Sequence, residues 1–165
     1  MSRSVNADEL MTENPVVLKP ETDLFQAINI LLKHKISGAT VLDENRNVVG
    51  VISEMDCLKA ILSSTYHGTS LGGTVGEFMS KTVDVLPANM DIIDVAKYLI
   101  DNNRRRVPIV EDSGKFVGQF SARSVLKAVK DFQVTHINSN LANKKTQASS
   151  KSHVTNLKKE ATHFS

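Results

Sequence analysis

Val48-Val49-Gly50-Val51-Ile52-Ser53-Glu54-Met55-Asp56-Cys57-Leu58-Lys59-Ala60 is echoed 68 residues later by Phe116-Val117-Gly118-Gln119-Phe120-Ser121-Ala122-Arg123-Ser124-Val125-Leu126-Lys127-Ala128. Carried outward, the same shift aligns positions 11–60 with 79–128 without a gap. It adds Met11/Met79, Val17/Val85, Leu18/Leu86, Asp23/Asp91 and Leu31/Leu99, for 11 identities in 50 positions. Hydrophobic spacing says more than identity does. Leu24, Ala27, Ile28, Leu31 and Leu32 fall at i, i+3, i+4, i+7 and i+8, and Ile92, Val95, Ala96, Leu99 and Ile100 repeat the pattern. Each set makes one apolar stripe on a helix of about three turns.

Around those helices the copies read alike. A short helix (5–11 and 74–80) and a short strand (16–18 and 83–86) precede each stripe. The apolar runs Ala39–Leu42 and Val48–Ile52 follow, split by Asp43-Glu44-Asn45-Arg46-Asn47; their counterparts are Val107–Val110 and Phe116–Phe120, split by Glu111-Asp112-Ser113-Gly114-Lys115. Each pair predicts a β-hairpin with a five-residue turn. A last helix starts after Ser53 or Ser121. The expected fold is mixed α/β (α+β), β-α-β-β-α twice. A unit of about 60 residues is marginal alone, so the two motifs are expected to pack sheet to sheet about a pseudo-twofold axis, leaving two clefts where they meet. Residues 63–73, mostly Ser, Thr and Gly, read as a flexible connector.

Composition bounds the function. In 165 residues, 41% are hydrophobic and none is Trp. That supports a packed core and excludes wholesale disorder. No apolar run reaches the roughly 18 residues that span a bilayer, and the start lacks the apolar block of a secretory signal. The single cysteine, Cys57, forms no internal disulfide. A cytoplasmic setting without membrane insertion is expected. Charge is uneven: residues 134–165 carry five lysines against Glu160 alone, amid Ser, Thr, Asn and Gln, and 133–165 read as a disordered basic tail.

The stretches Ile36-Ser37-Gly38-Ala39-Thr40-Val41-Leu42-Asp43 with Val49-Gly50-Val51-Ile52-Ser53-Glu54-Met55-Asp56, and Arg104-Arg105-Arg106-Val107-Pro108-Ile109-Val110-Glu111 with Val117-Gly118-Gln119-Phe120-Ser121-Ala122-Arg123-Ser124, resemble two cystathionine-β-synthase (CBS) motifs. The motifs would occupy 5–62 and 74–132, a tandem known as a Bateman module. The resemblance implies a sensor that binds AMP, ADP, ATP or S-adenosylmethionine between the motifs, pairs into a homodimer and signals to an effector protein. It implies no enzyme activity and no obligatory cofactor.

The resemblance also implies where a nucleotide would sit. The family's Ser/Thr-x-x-Asp signature is intact as Ser53-Glu54-Met55-Asp56, whose carboxylate would hold ribose hydroxyls through charge-assisted hydrogen bonds. The helix N-terminus beside it suits a phosphate. The second copy has Ser121 and, in place of the acid, Ser124, so the clefts are expected to be unequal. By the family's geometry the Asp56 cleft would include Thr82, Asp84, Arg104 and Arg105, and the Ser124 cleft Asn14, Val16, Ile36 and Ser37. Arg105 and Arg106 are the expected phosphate contacts, since a guanidinium meets phosphate bidentately; Asp84 opposes one.

Plainer chemistry accounts for some of these residues too. Ser53-x-x-Asp56 is also a capping box, and Thr74-x-x-Glu77 has the same spacing. A degenerate, non-binding dimeric adaptor is the first alternative. Nucleic-acid binding through Arg104–Arg106 and the basic tail is the second, weakened by the lack of interleaved aromatics. The glycine-rich 68–74 stretch lacks the Gly-Lys-Ser/Thr ending of a phosphate loop. The five histidines share no i,i+4 face, so no metal site is expected.

Overall fold

The computed structural model describes residues 11, 12, 14–68 and 72–131. In the first copy β1 (Val17–Leu18) leads to α1 (Leu24–His34), β2 (Gly38–Leu42), β3 (Val48–Ser53) and α2 (Glu54–His67). The second adds α3 (Val75–Phe78), then β4 (Leu86–Pro87), α4 (Ile92–Asp101), β5 (Arg106–Val110) and β6 (Phe116–Ser121). Residues 122–125 are helical and close a unit that ends at Val125; of the second unit, residues 126–131 are helical. This is β-α-β-β-α twice. The tail expected over 133–165 and residues 5–10 of the expected first helix lie outside the described residues.

Each copy builds a three-stranded sheet, in order β1-β2-β3 and β4-β5-β6, with the first pair parallel and the hairpin antiparallel. Both hairpins have the five-residue turn, and both slip register by a bulge, at Val41/Leu42 and Ile109/Val110. The turns share one left-handed position: Arg46 has φ 63° and its counterpart Gly114 has φ 84°. In the first turn the Asp43 carboxylate accepts from the Asn45 and Asn47 amides and from Asn47 Nδ2. Those bonds, led by the one from the Asn47 side chain, hold its pKa below the ordinary aspartate value in favour of the charged form.

Both amphipathic helices start on an aspartate N-cap. Asp23 accepts from the Phe25 and Gln26 amides, and Asp91 from that of Ile93. Their apolar stripes feed separate cores. Leu24, Ala27 and Leu31 of α1 meet Ala39, Val41 and Ile52 of the sheet and Cys57 and Ala60 of α2. Ile92, Val95 and Leu99 of α4 meet Val107, Ile109 and Phe120. Strand alternation turns Gly38, Thr40 and Leu42, and likewise Arg106, Pro108 and Gln119, to the opposite faces. Thr40 and Leu42 are nonetheless buried, so those faces are covered as well.

The copies are interlocked. Ser80 exchanges two backbone hydrogen bonds with Val51 at 3.0 and 2.9 Å, adding to the edge of β3. Its counterpart Thr12 exchanges two with Gln119, the counterpart of Val51, at 3.0 and 3.3 Å. Each copy thus lends its lead-in to the other's sheet, and the lending is pseudo-twofold symmetric. Core one takes in Val75, Phe78 and Met79 of the second copy, and core two takes in Met11 of the first. Burial of a valine such as Val75 contributes about 1.5–3 kcal/mol.

Three local expectations are corrected. The helix expected over 74–80 stops at Phe78 because Met79 and Ser80 turn extended to reach β3. The strand expected over 83–86 is Leu86–Pro87, since 81–85 carry the chain from that loan back to its own sheet. Residues 63–67 of the expected connector are helical. Ser64 and Thr65 hydroxyls donate to the carbonyls of Ala60 and Ile61, four residues back, and Gly68 at φ 61° caps the helix.

Candidate functional site

A cleft of about 390 Å³ opens between the copies, at the end of β3 where α2 begins. The first copy lines it with residues 37–39 and 51–55, the second with 82–84, Tyr98 and 103–108. Seven sequence-derived candidates meet here: Ser37, Ser53, Thr82, Asp84, Arg104, Arg105 and Arg106. Ser37, expected in the other cleft, lines this one because Arg106 reaches it across the seam. The guanidinium of Arg106 donates from Nη2 to Ser37 Oγ at 2.8 Å and from Nη1 to the carbonyl of Gly38. Burial, and then the Arg105 charge, pull its pKa below the usual guanidinium value, against the opposing pull of Glu54. Arg104 and Arg105 are exposed.

Asp56 stands one residue beyond the lining stretch, half-buried, in the first turn of α2. It closes the capping box: Ser53 donates from its amide and its hydroxyl to Asp56 Oδ2, both at 2.8 Å, and the Asp56 amide donates to Ser53 Oγ at 3.2 Å. Thr74 and Glu77 make the second box, the Thr74 amide donating to Glu77 Oε2 at 2.6 Å. Cys57, buried behind Asp56, has its thiol pushed up by burial first and by that carboxylate second, so it stays protonated and unreactive.

In the second copy the box is rebuilt with hydroxyls alone. The Ser121 amide donates to Ser124 Oγ at 2.8 Å, and the Ser124 hydroxyl donates to the Ser121 carbonyl at 2.9 Å. The helix keeps its cap but not a carboxylate. The geometry therefore carries the asymmetry of the two copies.

Sequence reasoning missed Tyr98. Its phenol donates to Asp84 at 2.5 Å across the cleft wall. Burial, and then that bond and the carboxylate's charge, push the phenol up to about 12. Asp84 is thereby partly satisfied at home. The signal lay in the repeat: Tyr98 replaces Ile30 and Asp84 replaces Val16, two departures at neighbouring places. Among the described residues, no group of three or more His, Cys, Asp or Glu is placed to hold a metal ion, and no helix is long and apolar enough to cross a membrane.

The arrangement has known counterparts. The inosine-5'-monophosphate dehydrogenase of Aquifex aeolicus is 31% identical over 121 residues, 73% of this chain but only 24% of that enzyme. The crystal structure of CBSX2 in complex with AMP is 28% identical with a TM-score of 0.69, covering 78% of this chain and 98% of that one; CBSX2 of Arabidopsis thaliana is a chloroplastic CBS domain-containing protein. The CBS domain pair of MJ0100, in complex with 5'-methylthioadenosine and S-adenosyl-L-methionine, shares the fold at 22% identity and a TM-score of 0.67, over 78% of this chain and 98% of that one. The CBS domain family itself matches at two tandem positions, residues 7–63 and 75–131. The chain belongs to the CBS domain family and carries a pair of its domains.

Proposed function

We propose that this CBS pair is a regulatory module that takes an adenine nucleotide in the cleft beside Ser53 and Asp56. The observation that carries the reading is the convergence there of Ser53, Thr82, Arg104 and Arg105 from both copies at a helix N-terminus. Arg104 and Arg105 supply positive charge for a phosphate, aided by the dipole of α2. Both capping bonds to the Asp56 carboxylate fall on Oδ2, which leaves Oδ1 for a ribose hydroxyl. The AMP complex of CBSX2 supports the ligand class. AMP, ADP, ATP and S-adenosylmethionine share the adenosine that this site would read.

Binding across the seam favours one arrangement of the copies and shifts the population toward it. An effector protein would read that shift in the cytoplasm, without chemistry on the ligand. A second reading, a contact module, draws on exposed apolar side chains. Phe25 and Leu32 of α1, Leu58 and Leu62 of α2, and Ile93 and Ile100 of α4 face outward, a surface suited to a homodimer or an effector. Calorimetric titration of nucleotide-free protein with the four ligands tests the first reading. Heat is expected from at least one. Asp56→Ala should weaken it far more than Ser124→Ala, and equal losses would refute the site.

A further inference from the structure

Asp84 and Tyr98 are two departures from the repeat that bond to each other. Their counterparts in the first copy, Val16 and Ile30, are apolar. Asp84 comes from the lead-in to β4 and Tyr98 from α4, and both line the cleft beside Ser53. The phenol donates its only proton to Asp84 Oδ2 at 2.5 Å. It keeps that proton at neutral pH, because its pKa is pushed up to about 12. Among the described residues no hydrogen bond falls on Asp84 Oδ1, and the residue is exposed. The pair therefore shows the cleft a fixed carboxylate oxygen, an acceptor without a donor. Arg104 is the nearby cation: its guanidinium stands close enough to the phenol to oppose part of that rise.

Such an acceptor sorts the groups of a ligand. It repels a phosphate, and the cleft offers a better place for one. The Ser37 carbonyl accepts from the Glu54 amide at 3.0 Å and Ser37 Oγ from Arg106 at 2.8 Å, so a guanidinium and the N-terminus of α2 stand together. The ribose falls to Asp56 in the first turn of the same helix. What remains for Asp84 is the base, whose flat ring suits the apolar Val51, Val83 and Pro108 of the lining. We propose that Asp84, held by Tyr98, is the base-selecting residue of this cleft, accepting from the amino group of a 6-aminopurine and rejecting a 6-oxopurine. An oxo group there sets acceptor against acceptor and leaves both unpaired. A site built on a hydrogen bond from its ligand discriminates against an analogue that lacks the donor. Tyr98 acts through Asp84 as a positioning residue, fixing which carboxylate oxygen faces the ligand. The inference rests on the reading of this cleft as a nucleotide site and adds the means by which it tells bases apart.

Calorimetric titration of the full chain with AMP and, separately, IMP tests it, because the two differ only at the purine 6-position and the ring nitrogen beside it. Wild type should bind AMP more tightly by roughly tenfold or more. Asp84→Asn should reverse the preference: the Tyr98 proton stays on the carboxamide oxygen, so the Nδ2 donor turns to the ligand and meets an oxo group. Adding Tyr98→Phe to Asp84→Asn should cancel the reversal, since the carboxamide is then free to turn over. A Tyr98 that only packs would lower both affinities together and leave the reversal in place, which overturns its positioning role. Asp84→Val, which installs the residue of the first copy, should abolish the preference without reversing it. AMP and IMP bound equally by wild type, or IMP bound more tightly, overturns the inference and leaves the cleft reading intact. So does a preference for AMP that survives in both Asp84→Asn and Asp84→Val. No uptake of either nucleotide by wild type refutes the cleft reading and the inference together.

Discussion

Arg106 donates to the carbonyl of Gly38, its own counterpart in the other copy, while its second terminal nitrogen holds Ser37 Oγ at 2.8 Å. A residue can touch its own repeat partner only close to the pseudo-twofold axis, so this arginine pins the copies where they pivot. Position 38 is a glycine with no room for more: a Cβ there would stand 2.7 Å from the Ile52 carbonyl oxygen. The pin is consequently one-sided.

Removing the pin should loosen the seam. Arg106→Leu is expected to cost about 1.5–3 kcal/mol, the range for hydrogen bonds to a charged group. Urea denaturation of the full chain measures it. Ser37→Ala, which removes one acceptor and keeps the Gly38 carbonyl, should cost less. Equal costs would mean that the Gly38 bond contributes nothing.

Asp56 serves the fold as well as the proposed ligand. Asp56→Ala removes both Ser53 bonds and should destabilise the ligand-free protein by about 0.5–2 kcal/mol. Asp56→Asn keeps an acceptor for the Ser53 amide and should recover part of that loss. Nucleotide binding should remain impaired in both, since a carboxamide makes the weaker bond to a ribose hydroxyl. Parallel recovery of stability and affinity would assign Asp56 a capping role only.

The exchanged lead-ins are packed too tightly for a methyl group. A Cβ on Gly118 would meet Met11 Sδ at 2.7 Å and the Thr12 carbonyl oxygen at 2.9 Å, and Gly50 is crowded in the same way by Met79 and Ser80. Gly50→Ala and Gly118→Ala should each cost about 1–3 kcal/mol through overpacking. Met79→Ala should relieve part of the first and none of the second. Double-mutant cycles in urea check this coupling.

Tyr98 gives a pH signature. Its folded-state pKa is pushed up to about 12, above the roughly 10 of a free tyrosine. A raised value means that its contribution to stability is fully present below about pH 10 and fades as pH climbs toward 12. In a Tyr66→Phe background, ultraviolet absorbance should show one phenolate transition near the upper value. Asp84→Ala should move it down, because both the hydrogen bond and the carboxylate charge, the second and third causes of the shift, are gone. An unmoved transition would leave burial as the sole cause.

Much of this was legible in one dimension because it was written twice. The stripe Leu24-Ala27-Leu31 and its echo Ile92-Val95-Leu99 place the helices, and Asp23 and Asp91, identical across the shift, are the caps that start them. The box at Ser53 and Asp56 follows from spacing alone. The lending of Ser80 to Val51 did not follow, because a two-bond bridge between segments 29 residues apart leaves no periodic trace. The added helical turn through His67 was hidden by Ser63-Ser64-Thr65, whose composition suits a connector until their hydroxyls turn back on the helix. The Arg106 pin was hidden for a related reason. A run of three arginines looks solvated, and only the turn of β5 toward the seam separates half-buried Arg106 from exposed Arg104 and Arg105.

The mutual loan of Met11–Thr12 and Met79–Ser80 makes each half the missing piece of its sibling. A gene fragment encoding one half would leave a sheet edge bare and, for the first half, a gap where Val75 and Met79 belong. Such fragments have reason to find each other, so that two nicked polypeptides reassemble what one continuous chain now guarantees.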